Sequence, residues 1–224
     1  MIVQDKHLEL FPMLNLLTNE QKVFLSQKMS YKICSKYNFI YMADEKSNDI
    51  FFLLDGTIKI GMHSDDGREI IKHIVHPGTI FGEFGLIGQT HRTNFAQVMN
   101  ESVQYLSISV EDFQLLLSQN TKMGLSVISL IGSKLQKAER KLESLIFKDA
   151  RARIVEFIRD NALRRGRKVG FEMLFKHALT QQDIANITGT SRQTVTSVMN
   201  ALKKDNLIYF TRNSILIRDI MNLA

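Results

Sequence analysis

The chain is poor in the residues that punctuate or staple a fold. Its 224 residues include one cysteine, Cys34, two prolines and no tryptophan. A single thiol cannot build an intrachain disulfide framework, a four-thiolate zinc site or a protein-ligated iron–sulfur cluster. So few prolines, with only twelve glycines, exclude collagen-like and low-complexity chains. No apolar run approaches the roughly 20 residues that span a bilayer. The N-terminus also lacks the charged head and long apolar stretch of a secretory signal. These absences predict a cytoplasmic protein with no membrane partner, no metal and few cofactors. What is present is ordinary globular composition, 44% hydrophobic and 23% charged, at a length that fits one large domain or two modest ones.

The net charge of +6 is unevenly placed. Residues 1–148 hold 16 Lys+Arg and 16 Asp+Glu, whereas residues 149–224 hold 13 and 7, so the whole excess lies in the last third. A concentrated basic segment is the electrostatic footprint of a nucleic-acid module, or else a solvated basic surface. Motifs decide between them.

Residues of about 30–110 read as strands. The run Ile50-Phe51-Phe52-Leu53-Leu54 and the alternation Ile58-Lys59-Ile60 are separated by turn signals at Asp55-Gly56, Asp65-Asp66-Gly67 and Pro77-Gly78. Seven of the twelve glycines fall between Gly56 and Gly88. Short strands with closely spaced turns predict a compact antiparallel roll. The fold class is therefore α+β: an antiparallel β-roll, a long helix and a C-terminal helical module.

From about Asp112 to Phe147 the period becomes helical. Ile128, Ile131, Leu135, Ala138, Leu142 and Leu145 are spaced 3, 4, 3, 4, 3, an a/d seam over about three heptads. That strict 3.5 period favours a partner helix, and hence a homodimer, with Lys134 at g facing Glu139 at e of the other copy. Asp149 then caps a helix over Ala150–Ala162, and Arg164-Arg165-Gly166-Arg167-Lys168 reads as a basic loop.

Residues 181–200, QQDIANITGTSRQTVTSVMN, read as a helix-turn-helix. Ala185 is small where two helices cross, Gly189 suits a turn that needs positive φ, and Ile184, Val195 and Val198 fall at inward positions. Thr180 with Asp183 and Thr190 with Gln193 resemble capping boxes. The second helix of such a motif enters the major groove N-terminus first. Its candidate DNA-binding residues are Ser191, Arg192, Gln193, Thr194, Thr196 and Ser197, with Thr180 and Gln181 at the start of the first helix. Arg192 suits bidentate contact with guanine, and Gln193 suits adenine. Leu207–Phe210 and Ile215–Ile217 flank a turn at Arg212-Asn213, which predicts a wing.

This order of parts resembles the Crp/Fnr family of bacterial transcription regulators. The resemblance covers essentially the whole chain, most specifically at Phe81-Gly82-Glu83-Phe84-Gly85-Leu86, Arg92-Thr93 and Ser191-Arg192-Gln193-Thr194-Val195. It implies a cyclic-nucleotide-binding-like jelly roll over 1–111, a dimerisation helix over 112–148 and a winged helix-turn-helix over 149–224. It implies a homodimer on a palindromic operator in double-stranded DNA, with RNA polymerase as a partner if the protein is an activator, and no enzyme activity. In cyclic-AMP-responsive members the Gly-Glu segment and a following Arg-Ser/Thr bind the ligand. By that resemblance Gly82, Glu83, Phe84, Gly85, Arg92 and Thr93 form an effector site, with Glu83 on a ribose hydroxyl and Arg92 on a cyclic phosphate. Bare sequence also allows Glu83 and Arg92 to pair with each other.

Several positions depart from the family pattern. The loop from Glu83 to Arg92 is one residue shorter than in the best-known cyclic-AMP receptor, and Asn94 and Phe95 stand where small residues are usual. Ala138 and Glu139 occupy the long-helix positions that supply hydroxyls to adenine. The effector is then a cyclic nucleotide or another small anion. Gln193 and Ser197 replace an acid and an arginine, which implies a different half-site. The competing class is a cupin-like ligand-binding or metal-dependent roll enzyme with a helical appendix. His73-x-x-His76 with Glu83 is its only support, and two residues three apart on a strand point to opposite faces.

Overall fold

Strand β3, Asp49–Asp55, is the uninterrupted apolar run, and it is buried from Ile50 through Leu54 in the computed structural model, which describes residues 3–223. Successive strand side chains point to opposite faces. Ile50, Phe52 and Leu54 therefore join Phe113, Leu116, Met123 and Val127 in a cluster under the helices. Phe51 and Leu53 face the other way, into the roll interior with Tyr41, Ile58, Phe81, Val98 and Tyr105. One strand thus feeds two cores.

Two four-stranded sheets form the roll. The first runs β1 (Ser30–Ser35), β8 (Ser102–Ser109), β3, β6 (Ile80–Phe81). The second runs β2 (Phe39–Tyr41), β7 (Phe95–Val98), β4 (Ile58–His63), β5 (Glu69–Val75). The registered pairs β1–β8, β3–β8, β3–β6, β2–β7 and β4–β7 are antiparallel. Cys34 sits on β1 and is half-buried against the interior cluster. Helices α1 (Asp5–Leu8) and α2 (Asn19–Lys28) precede the roll, and the Thr18–Gln21 capping box starts α2.

The helical stretch after the roll is two helices, not the single one expected from Asp112 onward. α3 covers Val110–Gln119 and α4 covers Thr121–Phe147. Asn120 causes the break. Its Oδ1 accepts from Met123 N at 3.1 Å, and its Nδ2 donates to Leu16 O at 3.0 Å and Gln21 Oε1 at 2.9 Å. Asparagine side chains compete with helix hydrogen bonds in this way, and so favour helix ends.

Helix α4 carries two apolar stripes. Met123 and Val127, with Leu130 and Ile131 beside them, pack on the roll core. Leu125, Ile128, Leu135, Leu142, Leu145 and Ile146 remain exposed. Ile131, expected in the dimer seam, is half-buried against its own roll, which leaves only part of its surface exposed. Ala138 is exposed.

The chain divides within α4. One compact unit comprises the residues up to Arg68 with Lys72–Gln136, and the other comprises Glu69–Ile71 with the residues from Lys137 on. In the second unit, Asp149 caps α5 by accepting from Ala152 N at 2.7 Å. α5 runs Ala150–Arg165, one turn beyond the expected end, until Gly166 stops it. Arg167–Val169 is then a strand, β9, rather than loop, because it pairs with β10 (Glu172–Lys176). The wing strands β11 (Ile208–Thr211) and β12 (Ser214–Ile217) extend the same sheet, in the order β11-β12-β10-β9. Pairing across distant residues makes a strand that local composition does not announce.

Phe52 tests the double core. It is fully buried, edge-on to Phe11 at 5.1 Å and to Phe113 at 5.8 Å. Phe52→Ala is expected to destabilise the protein by about 3–5 kcal/mol in urea unfolding. A loss below about 1 kcal/mol, the range of volume-conserving swaps, would contradict the packing.

Candidate functional site

The helix-turn-helix is built from α6 (Gln181–Thr188) and α7 (Arg192–Lys204). Asp183, itself buried, accepts from Thr180 N at 2.8 Å, and Thr180 Oγ1 accepts from Asp183 N at 3.1 Å, a complete capping box. Ile184, Ala185, Val195, Val198, Met199 and Leu202 are buried where the helices cross. Gly189 ends α6 at φ +64°, a left-handed conformation that a side chain disfavours. A Cβ there would also lie 3.1 Å from Leu145 Cδ2.

The second cap is one residue later than expected. Thr190 N still donates to Ala185 O at 3.1 Å, so Thr190 belongs to the turn and does not cap with Gln193. Ser191 is the N-cap: its Oγ accepts from Thr194 N at 3.0 Å.

These caps sort the predicted DNA-facing residues. Thr180 is committed to Asp183, and Ser191 and Thr194 to each other, with their hydroxyls 2.8 Å apart. Thr196 Oγ1 lies 2.6 Å from Gln181 Oε1 and 2.9 Å from Arg192 O, so residues 181 and 196 hold one another. Arg192, Gln193 and Ser197 are exposed, and their side chains take no hydrogen bond among the described residues. Asn200, one turn further and equally exposed, was not singled out in the sequence. Its spacing of seven from Gln193 is the signal that marks it.

The roll holds a second polar constellation. Gly82, at φ +75°, precedes a 3₁₀ turn over Glu83–Ile87. A Cβ on Gly82 would sit 2.8 Å from the Phe51 ring and 3.0 Å from Arg92 Nη1, so glycine is needed for both its φ and this approach. Gly85 is pressed against Ser47 O, while Phe84 is partly exposed. Glu83 and Arg92 are only 3% and 4% exposed, and they do not pair with each other. Glu83 Oε2 meets Lys134 Nζ of α4 at 2.8 Å, and Lys134 also donates to Ile80 O at 3.1 Å. Lys134 therefore turns into its own roll instead of facing the partner's Glu139. Sequence reasoning missed this contact because the two residues are 51 positions apart.

Arg92 donates through Nη1 to Gly82 O at 2.8 Å and through Nη2 to Asp49 O. Its guanidinium lies 4.5 Å from the centre of the Tyr41 ring. Burial pulls its pKa down, against nearby Tyr41 and Asp49. Burial likewise pushes the Tyr41 phenol above its usual range. Arg92 Nε is buried without a partner among the described residues, a cationic donor of the kind an anion would satisfy. The residues present thus fit a phosphate. Thr93 Oγ1 accepts from Gln89 Nε2 at 3.1 Å. Asn94 and Phe95 are buried, with Phe95 edge-on to Phe39. Ala138 and Glu139 are exposed on α4 and carry no hydroxyl.

Comparison with known proteins finds a family match over each of these two regions. Residues 33–120 match the cyclic nucleotide-binding domain family, and residues 152–224 match the Crp-like helix-turn-helix domain family. The CRP-like cAMP-activated global transcriptional regulator of Mycobacterium tuberculosis is 26% identical over 185 residues, 83% of this chain and 82% of that protein. The global nitrogen regulator of Synechocystis sp. is 24% identical over 190 residues, 83% of each. A mutant of CooA from Carboxydothermus hydrogenoformans has a TM-score of 0.80 at 26% identity, covering 96% of this chain and 93% of that one. FixK2 from Bradyrhizobium japonicum, at 19% identity, shares the fold with a TM-score of 0.78 over 87% and 95% of the chains.

A nucleotide-binding-type roll, a long helix and a DNA-binding helix-turn-helix define a transcription regulator, not an enzyme. The chain belongs to the Crp/Fnr family of bacterial transcription regulators. Among the described residues, no helix is long and apolar enough to cross a membrane, and no three His, Cys, Asp or Glu residues are grouped to hold a metal ion.

The Glu83–Lys134 pair makes a prediction about the roll. Removing one partner strands a buried charge, whereas removing both is far less costly. Lys134→Ala is expected to lower stability by about 1–3 kcal/mol, and adding Glu83→Gln to restore part of that loss. Urea unfolding of the three proteins measures it. Equal stability of wild type and Lys134→Ala would contradict the pairing.

Proposed function

We propose that this protein is a homodimeric, sequence-specific DNA-binding regulator that acts in the cytoplasm and whose roll senses a small anion. The observation that carries the DNA reading is the N-terminal turn of α7. Arg192, Gln193 and Ser197 stand exposed there without partners among the described residues, while their neighbours are consumed in caps and cross-links. Donors left free at the leading end of a recognition helix are available to base edges. The basic excess in residues 149–224 supplies the electrostatic, sequence-independent part of binding. RNA polymerase is a further partner if the regulator activates.

Homodimerisation rests on the uncovered stripe of α4. Leu135 and Leu142 are 60% and 59% exposed, and with Ile128 and Leu145 they keep the heptad spacing. A second copy of the same helix matches that spacing. Two recognition helices then meet half-sites about 34 Å apart on a palindromic operator. Leu135→Asp with Leu142→Asp is expected to give a monomer by sedimentation, with much weaker operator binding. A dimeric double variant would overturn the seam.

Arg192→Ala is expected to cost about 1–3 kcal/mol at the operator and to relax preference at one base pair. Competition gel shifts with single-base operator variants measure both. Unchanged selectivity would assign base reading to another element.

Several relatives are named as cAMP-activated. Here Arg92 Nε is the donor left for a phosphate, but Ala138 and Glu139 offer no hydroxyl to a base. A ligand shifts an equilibrium only by its differential affinity for the two states. We therefore expect weak or absent cyclic-AMP activation, and a stronger response in Ala138→Thr with Glu139→Ser. Calorimetry paired with DNA binding at increasing ligand tests this. Micromolar wild-type affinity with a large gain in operator binding would refute it.

A further inference from the structure

The turn that aims the recognition helix is held from outside the motif. Arg153, in the first turn of α5, donates through Nε to Thr188 O at 2.9 Å and through Nη2 to Gly189 O at 3.1 Å. Its Nη1 donates to Lys148 O at 2.7 Å. The carbonyls of Thr188 and Gly189 belong to the C-terminal end of α6, where helix carbonyls lack internal partners and the dipole favours a cation. Lys148 follows the end of α4 and is itself tied to α5, because Glu156 accepts from both Lys148 Nζ and Ser144 Oγ. Burial pushes the Glu156 carboxyl up, but Lys148 and Ser144 hold it below its usual range. Leu145 of α4 meanwhile lies against Gly189. A planar guanidinium with three nitrogens in fixed geometry can hold three carbonyls at once, and a lysine ammonium on a flexible stem cannot reproduce that fork.

We infer that Arg153 is a positioning residue for DNA recognition: by clamping the α6–α7 turn to the end of α4 and the start of α5, it sets the angle at which Arg192 and Gln193 meet the bases. The inference rests on the DNA-binding reading above. It assigns specificity to a residue that touches no base. Its guanidinium is engaged with three carbonyls, so loss of Arg153 should spare the phosphate contacts and affect only geometry. Base contacts need that geometry, whereas phosphate attraction depends mainly on charge.

The test uses the full-length protein and an operator selected by the wild type from random duplexes. R153A and R153K are titrated against that operator and against an unrelated duplex over a range of salt. Both variants should lose at least about tenfold in operator affinity while binding of the unrelated duplex and the salt slope stay unchanged. Full rescue by R153K, or a salt slope lower by about one in R153A, would make Arg153 a charge contact and overturn the inference. Equal loss on both duplexes would also overturn it.

Amide hydrogen exchange on the free protein gives a second reading, independent of any operator. R153A should exchange faster at Thr190 and Thr194 while Ile158, in the middle of α5, keeps its protection. If R153A does not fold, R153K is read in the same way. Unchanged protection of the turn in a folded variant overturns the inference. Failure of the wild type to select any sequence would instead overturn the DNA-binding reading, leaving the clamp to stand or fall on exchange.

Discussion

A helix can bury one stripe against its own domain and still carry a second, and α4 does both. Met123 and Val127 complete the core beneath β3, so the helix is fixed in rotation about its axis by the roll itself. That rotation leaves Ile128 and Leu135 turned to solvent, a heptad apart. Contiguous apolar surface of this kind marks an interaction site. Lys134 lies toward the first stripe and reaches the buried Glu83, which ties the same helix to the 3₁₀ turn over Glu83–Ile87. Roll packing, the exposed apolar stripe and the Glu83–Lys134 pair therefore depend on one rotational setting.

The motifs that could be read in the sequence are those whose physics is local. Thr180 with Asp183, Ala185 at the crossing and Gly189 at positive φ each act within a few residues, and each stands where its chemistry requires. The run of Ile50–Leu54 was legible for a similar reason, since alternation along one strand decides which core each side chain enters. The second cap slipped by one residue because Thr190 and Ser191 are equally good caps in isolation. Only the continued bond from Thr190 to Ala185 decides between them.

The features that escaped the sequence are those closed by distant partners. Lys134 has the spacing of an interhelical g position, yet it bonds to Glu83 and Ile80. Arg153 is one of several arginines in a basic stretch, and nothing local ties it to Thr188 and Gly189. Arg167–Val169 looked like loop until β10 supplied an edge to pair with. Asn120 broke a continuous helical period by reaching back to Leu16 and Gln21, about a hundred residues earlier in the chain. In each case one group has several available partners, and the tertiary fold selects among them.

The polar groups around Arg92 show the same selection within one cluster. Arg92 is held by two carbonyls and the Tyr41 ring, and its Nε has no partner among the described residues. In the proposed effector site that donor would take a phosphate, while Ala138 and Glu139 carry no hydroxyl for a base. In the proposed dimer, two recognition helices act together on one operator. Selection of duplexes from a random library by the full-length protein, followed by sequencing, tests it most directly. The account predicts an inverted repeat whose half-site centres are one helical turn, about 34 Å, apart. Enrichment of a lone half-site, or of no sequence at all, would contradict it.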